Sequence, residues 1–547
     1  MKRIPIGIEN FKRLIDENYY FVDKSMLIKN VCNEVVALYT RPRRFGKTLN
    51  MSMLYYFFSM HEKENAYLFE NLEIANEVEV KQYQNQYPVI FLSLKDMRRG
   101  NFQGQLHKFA SLISGIVADH EELLGSPRLL ENEKKLLKLY FDREGSVDDL
   151  QDSLLHLSVC LKKHYGKKVI LLVDEYDVPL QDAYVHDQDG YYDKMVTFIR
   201  NVFSAALKTN DALEKGILTG CLRIAKESIF TGLNNFMIHS IFDEATGEYY
   251  GFTMEETRQL LSDYGMEEYY PDVREWYDGY LFGNKEIYNP WSVLMYVNHA
   301  LTNSPKTIPF WANSSGNDIV YNYIKRADET LKNEFECLVQ GKSIEKEIHQ
   351  ELTYREMDDI ENIYSFMLYT GYLKAVRETE KGYQLVIPNR EVHEIFEQSF
   401  RQYFKEYVKD KKGMFVTYLR RGETEKAQKL LNEILLSSVS FYDNYEAFYH
   451  GFIIGLLSGY LVESNCESGD GRFDISILSN DVFETVVVLE CKHSDHLRDL
   501  TGDCEDAVKQ MKDQRYIEGL QAKGYENVVG YGISFYKKNC MIKKVEM

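Results

Sequence analysis

The chain has no CxxC pair, no long apolar run and no excess of positive charge, and each absence removes a class of protein. Its eight cysteines, at 32, 160, 221, 337, 466, 491, 504 and 540, match no zinc-ribbon spacing. They read as free thiols in a reducing cytoplasm, which sets aside a disulfide-stapled scaffold. The longest apolar stretch, near Gly451 to Val462, is too short to span a bilayer and is interrupted by glycine and serine. The opening MKRIPIGIENFKRL holds no unbroken apolar segment, so neither a signal peptide nor a membrane partner is expected. Lysine and arginine number 65 against 84 aspartates and glutamates, a formal net charge of −19. That balance argues against a protein that coats nucleic acid nonspecifically, while leaving room for a local basic groove.

What is present is the composition of a globular protein, with 44% hydrophobic and 27% charged residues. At 547 residues the chain is too long for one core, and two to four domains are expected. The 41 tyrosines predict aromatic-rich helical packing and carry no function of their own.

The chain is organised around VALYTRPRRFGKTLNMSMLYYFF, Val36 to Phe58. Val36 to Tyr39 are long enough for a buried strand, Arg41 to Gly46 form a loop, and the residues from Lys47 onward have helical apolar spacing. Gly46-Lys47-Thr48 is the second half of a phosphate-binding loop, GxxxxGK[ST]. Backbone N–H groups at a helix start make an anion hole, Lys47 adds charge at the β/γ-phosphates of ATP, and the Thr48 hydroxyl is a Mg²⁺ ligand. Arg41 stands where the first glycine of the pattern belongs. With Arg43, Arg44 and Lys47 it gives the loop a concentration of positive charge suited to phosphates. The bland alternative is a basic loop capping an ordinary helix.

A second half-site weighs against that alternative. Val169 to Val173 are five apolar residues in a row, as in a parallel strand covered on both faces, and they end in Asp174 and Glu175. In such an ATPase the first acid holds Mg²⁺ and the second polarises the attacking water. A strand ending in two acids is common alone and much less common beside a GKT. Thr219, ending the strand Gly216 to Thr219, is the candidate to sense the γ-phosphate. Arg223, just beyond, is a candidate arginine finger, in cis or from a neighbouring copy in a homo-oligomer, with a surface salt bridge as the competing reading.

RPRRFGKT, YYFVDKS (Tyr19 to Ser25), YPVIFLSLKD (Tyr87 to Asp96), LLVDEYD and GILTGCLRIAKESIFTGLNN (Gly216 to Asn235) together resemble the AAA-ATPase-like proteins of bacteria. Members often carry a PD-(D/E)XK nuclease-like domain at the C-terminus. The family usually writes its loop RPRRFGK[ST], so the resemblance makes Arg41 the expected residue. The resemblance covers nearly the whole chain.

Alternating strands and helices predict a parallel sheet with helices on both faces. The expected domains are a P-loop domain over 1–250, a helical lid or linker over 251–350, a helical, winged-helix-like connector over 351–440 and a nuclease-like domain over 441–547. Tyr19, Tyr20, Phe21 and Asp23 are placed to flank a nucleotide base, with ordinary sheet packing as the alternative. Thr253 with Glu256 reads as a capping box. Trp276 to Leu294 is aromatic and turn-rich with no chemical role of its own, and Phe310 to Asp318 reads as a capped turn in preference to a nucleotide contact. Residues 361 to 388 read as a helix and then a hairpin.

The last hundred residues read as α-β-β-β-α-β, the order of the PD-(D/E)XK core. Period-two geometry puts Phe473, Ile475 and Ile477 on one face and Arg472, Asp474 and Ser476 on the other. Glu490 and Lys492 share a face of the next strand. Asp474 and Glu490 make a carboxylate pair for Mg²⁺, and Lys492 orients a water or offsets developing negative charge. By resemblance, Glu446 is the extra acid many such nucleases carry. Gln510 on the following helix is a further candidate, and His493 and His496 read as surface residues. The alternative is an ordinary sheet with an acid on one strand and ExK on the next.

The sequence thus predicts an α/β multidomain ATPase coupled to a Mg²⁺-dependent nuclease acting on DNA. The alternatives are a nucleotide-dependent switch whose C-terminal domain binds nucleic acid or protein without cutting, and an interaction scaffold that uses neither site.

Overall fold

Uninterrupted apolar runs become the buried strands of a parallel sheet. The computed structural model describes all residues except 209, 225–235, 312–317, 439–445, 469–470, 480, 482 and 547. Within it, β1 (Val36–Thr40), β2 (Val89–Ser93), β3 (Val169–Asp174), β4 (Leu213–Gly220) and β5 (Phe236–His239) form one sheet in the order β2-β3-β4-β1-β5. All four neighbouring pairs are parallel. Val169 to Val173 have no exposed surface. Each such side chain contributes about 1.5–3 kcal/mol, so β3 is a rigid base from which the residues at its C-terminal end are aimed.

The chain divides into two compact units, Met1–Asn317 with Cys337–Ile395, and Asp318–Glu336 with Phe396–Met547. In the first, Thr253 and Glu256 form the reciprocal cap expected at the start of the helix Met254–Asp263. The turn-rich segment after it holds the short hairpin β6 (Tyr280–Phe282) and β7 (Lys285–Ile287). The helix Ile360–Thr370 is followed by the hairpin β9 (Lys374–Thr379) and β10 (Gly382–Val386), with β8 (Ile344–Lys346) added beside β10. The capped turn expected at Phe310 to Asp318 falls mainly on residues outside those described, as do all of Ala225 to Asn235 and the Gly469-Asp470 part of the expected turn.

In the second unit, β11 (Leu461–Ser468), β12 (Gly471–Leu478), β13 (Val486–His493), β14 (Val528–Tyr536) and β15 (Asn539–Lys544) form a sheet in chain order. Only β13 and β14 are parallel, as the intervening helices require. One face packs Ile475, Ile477, Val487, Leu489 and Ile533 against the helices before the sheet, the other Val486, Val488 and Val528 against the helices between β13 and β14. The single helix expected near 503–521 is two, Leu500–Asp513 and Tyr516–Ala522, because Arg515 between them sits at φ 51°. β15 extends the sheet beyond the expected order. No helix among the described residues is long and apolar enough to cross a membrane.

Candidate functional sites

The loop after β1 turns into the helix Lys47–Phe58 through Gly46, whose φ of 83° is the left-handed conformation that glycine adopts at least cost. That turn exposes the first N–H groups of the helix. Thr48 Oγ1 donates to Asp174 Oδ2 at 2.9 Å, and Thr219 Oγ1 donates to Asp174 Oδ1 at 2.7 Å. Strand order explains the triad: β4 lies between β1 and β3, so its end reaches both half-sites. Thr219 is therefore engaged with the acid itself.

Asp174 is fully buried. Burial pushes its carboxyl above the ordinary range, and the Thr219 and Thr48 hydroxyls pull it partly back. A buried carboxylate held by hydroxyls offers hard oxygen donors of the kind Mg²⁺ takes, and Thr48 supplies another oxygen. Glu175 sits at φ 54°, a conformation costing a non-glycine residue about 1–2 kcal/mol. It lines a cavity of about 520 Å³ together with Gly46, Lys47 and Thr48. Lys47 Nζ is folded onto the carbonyls of Arg41 and Pro42, 2.9 Å from each.

The cavity also takes in Arg43, Arg44, Tyr20, Phe21, Phe252 and Trp291. The lining thus combines basic and polar side chains with aromatic ones. The volume lies within the usual range for small-molecule pockets, about 300–1,000 Å³. Arg43 donates to Gln181 at 2.7 Å, and the Arg44 guanidinium lies 4.2 Å from the Trp291 ring centre. Tyr19 and Asp23 are not among the lining residues; Asp23 instead accepts the Ser25 and Glu73 N–H groups.

Arg41 departs from the expectation. It is fully buried and turned away from the cavity, with Nη1 on the carbonyls of Thr40 and His239, each at 2.8 Å, and Nη2 on Thr246 Oγ1 at 2.9 Å. Its guanidinium packs against the rings of Tyr250 and Phe282, and burial pulls its pKa down to about 10. Arg41 belongs to the loop's foundation, and the positive charge available to phosphates is that of Arg43, Arg44 and Lys47. Arg223 pairs with Glu351 at 2.5 Å and does not line the cavity.

Sequence reading missed Phe252, Trp291 and Arg98 on the cavity wall. The aromatic, turn-rich composition around Trp291 was the only available signal, and nothing local tied it to the loop.

In the second unit the chemistry gathers where β12 and β13 part. The ladder between them ends at Ile475 with Leu489. One residue on, Asp474 Oδ2 accepts the Cys491 N–H at 2.7 Å, so a side chain takes an amide of the neighbouring strand. This breaks the alternation expected of β12: Phe473 packs with Val486, Val488 and Tyr516, on the face opposite Ile475 and Ile477. Cys491 lies between Glu490 and Lys492, so Asp474 is held against the ExK segment. Glu490 is 1% exposed; its Oε1 accepts from Gln510 Nε2 and lies 3.8 Å from Lys492 Nζ.

Gln510 reaches Glu490 because its helix lies directly on β14. A Cβ on Gly532 would stand 2.8 Å from Cys504 O, and one on Gly530 would overlap the Met511 sulfur. The two carboxylates at one strand end offer oxygen donors of the kind a hard divalent cation takes, with an amide and an ammonium beside them. Glu446 opens the helix Glu446–Leu456, but its side chain is outside the described residues. His493 lies 3.9 Å from Asp495.

Comparison with known proteins matches two stretches of the chain. Residues 5–230 match the AAA-ATPase-like family model described as Predicted AAA-ATPase, and residues 444–545 match the PD-(D/E)XK nuclease superfamily model. A protein of Azotobacter chroococcum mcd 1, described as an uncharacterized protein in the vnfD 5'region, is 23% identical over 561 residues, covering 98% of this chain and 96% of that one.

Proposed function

From a chain that carries an AAA-ATPase-like domain and, at its C-terminus, a PD-(D/E)XK nuclease superfamily domain, we propose an ATP-hydrolysing protein coupled to a Mg²⁺-dependent nuclease acting on DNA. The observation that carries the first half is the Thr48–Asp174–Thr219 hydrogen-bond chain at the end of a cavity that Glu175 lines. Lys47 and the first amides of its helix would hold the phosphates. Thr48 and Asp174 would hold Mg²⁺, which when bound neutralises charge between the phosphates. Glu175 is the base that orients and deprotonates the attacking water. Tyr20, Phe21, Phe252 and Trp291 offer the base an apolar enclosure.

For the second half, Asp474 and Glu490 would hold Mg²⁺, which supplies Lewis acidity at a phosphodiester. Lys492 offsets negative charge developing on the phosphoryl oxygens. Gln510 fixes the Glu490 carboxylate.

The deciding experiment incubates the full chain with labelled DNA and RNA, with and without ATP and Mg²⁺, while phosphate release is followed. The expected result is ATP turnover and Mg²⁺-dependent DNA cleavage. ATP turnover without cleavage under any condition would replace the nuclease by a nucleotide-dependent binding switch. Absence of both activities would overturn the proposal.

A further inference from the structure

A group of side chains at the other end of the N-terminal sheet has no part in nucleotide chemistry. His61 lies in the 3₁₀ helix Met60–Phe69 that follows the P-loop helix. His120 ends the helix Phe102–Asp119, and Glu122 follows in the short turn Glu121–Leu123. One ligand atom from each of the three lies within 4.8 Å of the others. The nucleotide site uses the C-terminal ends of the strands, whereas His120 meets the sheet at Val89, the first residue of β2.

His120 carries the argument. Its side chain is 7% exposed, and its Nε2 lies 3.4 Å from the Val89 carbonyl. A carbonyl can only accept, so Nε2 carries a proton, and in the neutral ring Nδ1 presents a lone pair. That Nδ1 is buried, makes no hydrogen bond, and faces Glu122 Oε1 at 3.4 Å. In the neutral ring that lone pair faces a carboxylate oxygen, an arrangement that either a proton on Nδ1 or a metal ion between the two atoms makes favourable. Backbone-anchored imidazole is also how metal-binding histidines are commonly oriented.

Glu122 Oε1 is the meeting point. It accepts from the Tyr165 hydroxyl and lies 3.9 Å from His61 Nε2. Neighbouring ligand atoms around a tetrahedral Zn²⁺ are about 3.4 Å apart for bonds near 2.0–2.1 Å. The two spacings to Glu122 Oε1, 3.4 and 3.9 Å, therefore need little adjustment. His61 Nε2 also faces the Tyr165 hydroxyl at 2.9 Å, a contact a metal would replace. The His61 side chain is 32% exposed, which leaves an entry path and a position for water.

We propose that His61 Nε2, His120 Nδ1 and Glu122 Oε1 bind a borderline divalent cation of the Zn²⁺ class, with Tyr165 orienting the carboxylate. Two imidazoles and one carboxylate select Zn²⁺ or Co²⁺ over Mg²⁺, which prefers an all-oxygen shell. The bound ion staples the segment leaving the P-loop helix to the start of β2.

The test is a Co²⁺ titration of the chelator-treated full chain, read by visible absorption, followed by Zn²⁺ displacement and a thermal melt with and without Zn²⁺. Four-coordinate Co²⁺ absorbs far more strongly than the six-coordinate ion expected at an all-oxygen site. The parent should bind one Co²⁺ with the four-coordinate spectrum, lose it to Zn²⁺, and melt higher with Zn²⁺. His61→Ala, at an exposed position, should keep the fold by circular dichroism, weaken binding by about 100-fold or more and lose the Zn²⁺-dependent rise in melting temperature. Asp174→Ala and Asp474→Ala should keep the spectrum. A parent without the four-coordinate spectrum, or a spectrum unchanged in both His61→Ala and Glu122→Gln, would make the group a hydrogen-bonded cluster only.

Discussion

Thr48 and Asp174, 126 positions apart in the chain, share a hydrogen bond of 2.9 Å that joins the start of the P-loop helix to the end of β3. Lys47, the residue before Thr48, is satisfied within the loop by two backbone carbonyls. The loop is thus shaped by its own contacts, and the proposed nucleotide would exchange the Lys47 contacts for phosphate oxygens.

Lys47→Ala should therefore bind ATP about 100-fold more weakly, the equivalent of about 3 kcal/mol. Calorimetry on a variant shown to be folded measures this. Unchanged affinity would remove the phosphate role from the loop.

Glu175→Gln keeps the side-chain shape and removes the base. ATP should bind as tightly as to the parent while turnover falls by about 10²–10⁴-fold. Normal turnover would move the base to another residue.

Arg41 separates two readings of one motif. Its guanidinium binds Thr40, His239 and Thr246 beneath the loop. Arg41→Ala leaves those buried acceptors without a donor, at a cost of about 1–3 kcal/mol each. Urea unfolding should show a loss of about 3 kcal/mol or more, while the folded fraction binds ATP within a few-fold of the parent. A stable variant with crippled ATP affinity would return Arg41 to the phosphates.

Much of this architecture was legible because its signals are local. The apolar runs of β1 and β3, the Gly46-Lys47-Thr48 turn and the capping box at Thr253 each lie within a few residues of sequence. The direction of Arg41 was not, since it depends on Thr246, about two hundred positions away. Trp291 and Phe252 reach the cavity by equally distant packing. Phe473 was placed on the wrong face for a different reason. Alternation assumes an unbroken ladder, and here the Asp474 side chain takes the Cys491 amide where the ladder stops. The helix break at Arg515 needed a left-handed residue that no glycine announced.

Glu391 makes stability depend on pH. It accepts from Ser292 Oγ at 2.7 Å and Trp311 N at 2.6 Å, and burial pushes its carboxyl up from 4.5 to about 7. The folded protein thus favours the protonated acid. Its contribution is fully present below pH about 4.5 and is lost as pH rises through about 7, in all about 3 kcal/mol at 1.36 kcal/mol per pH unit. Glu391→Gln keeps a neutral side chain, so the difference in unfolding free energy between variant and parent should change across this window. A constant difference would show that Glu391 does not titrate there.

The C-terminal site is tested at Asp474, whose carboxylate has two jobs. It accepts the Cys491 N–H, and in the proposed nuclease it shares a cation with Glu490. Asp474→Ala removes both, so a loss of cleavage alone could reflect a displaced β13. Asp474→Asn keeps an oxygen for the Cys491 amide and removes the charge. Both variants should lose DNA cleavage by about 100-fold or more across a Mg²⁺ titration, with ATP binding unchanged. Lys492→Ala should keep its Mg²⁺ dependence and lose rate, because Lys492 is assigned to transition-state charge. Less negative charge near the phosphates should let Asp474→Asn bind DNA at least as tightly as the parent, most visibly at low salt. If the parent cuts and Asp474→Asn cuts equally well, the metal is not held by this acid. If Asp474→Ala is inactive but Asp474→Asn retains full activity, Asp474 acts by positioning Cys491 and the ExK segment, and metal binding falls to Glu490 and its neighbours.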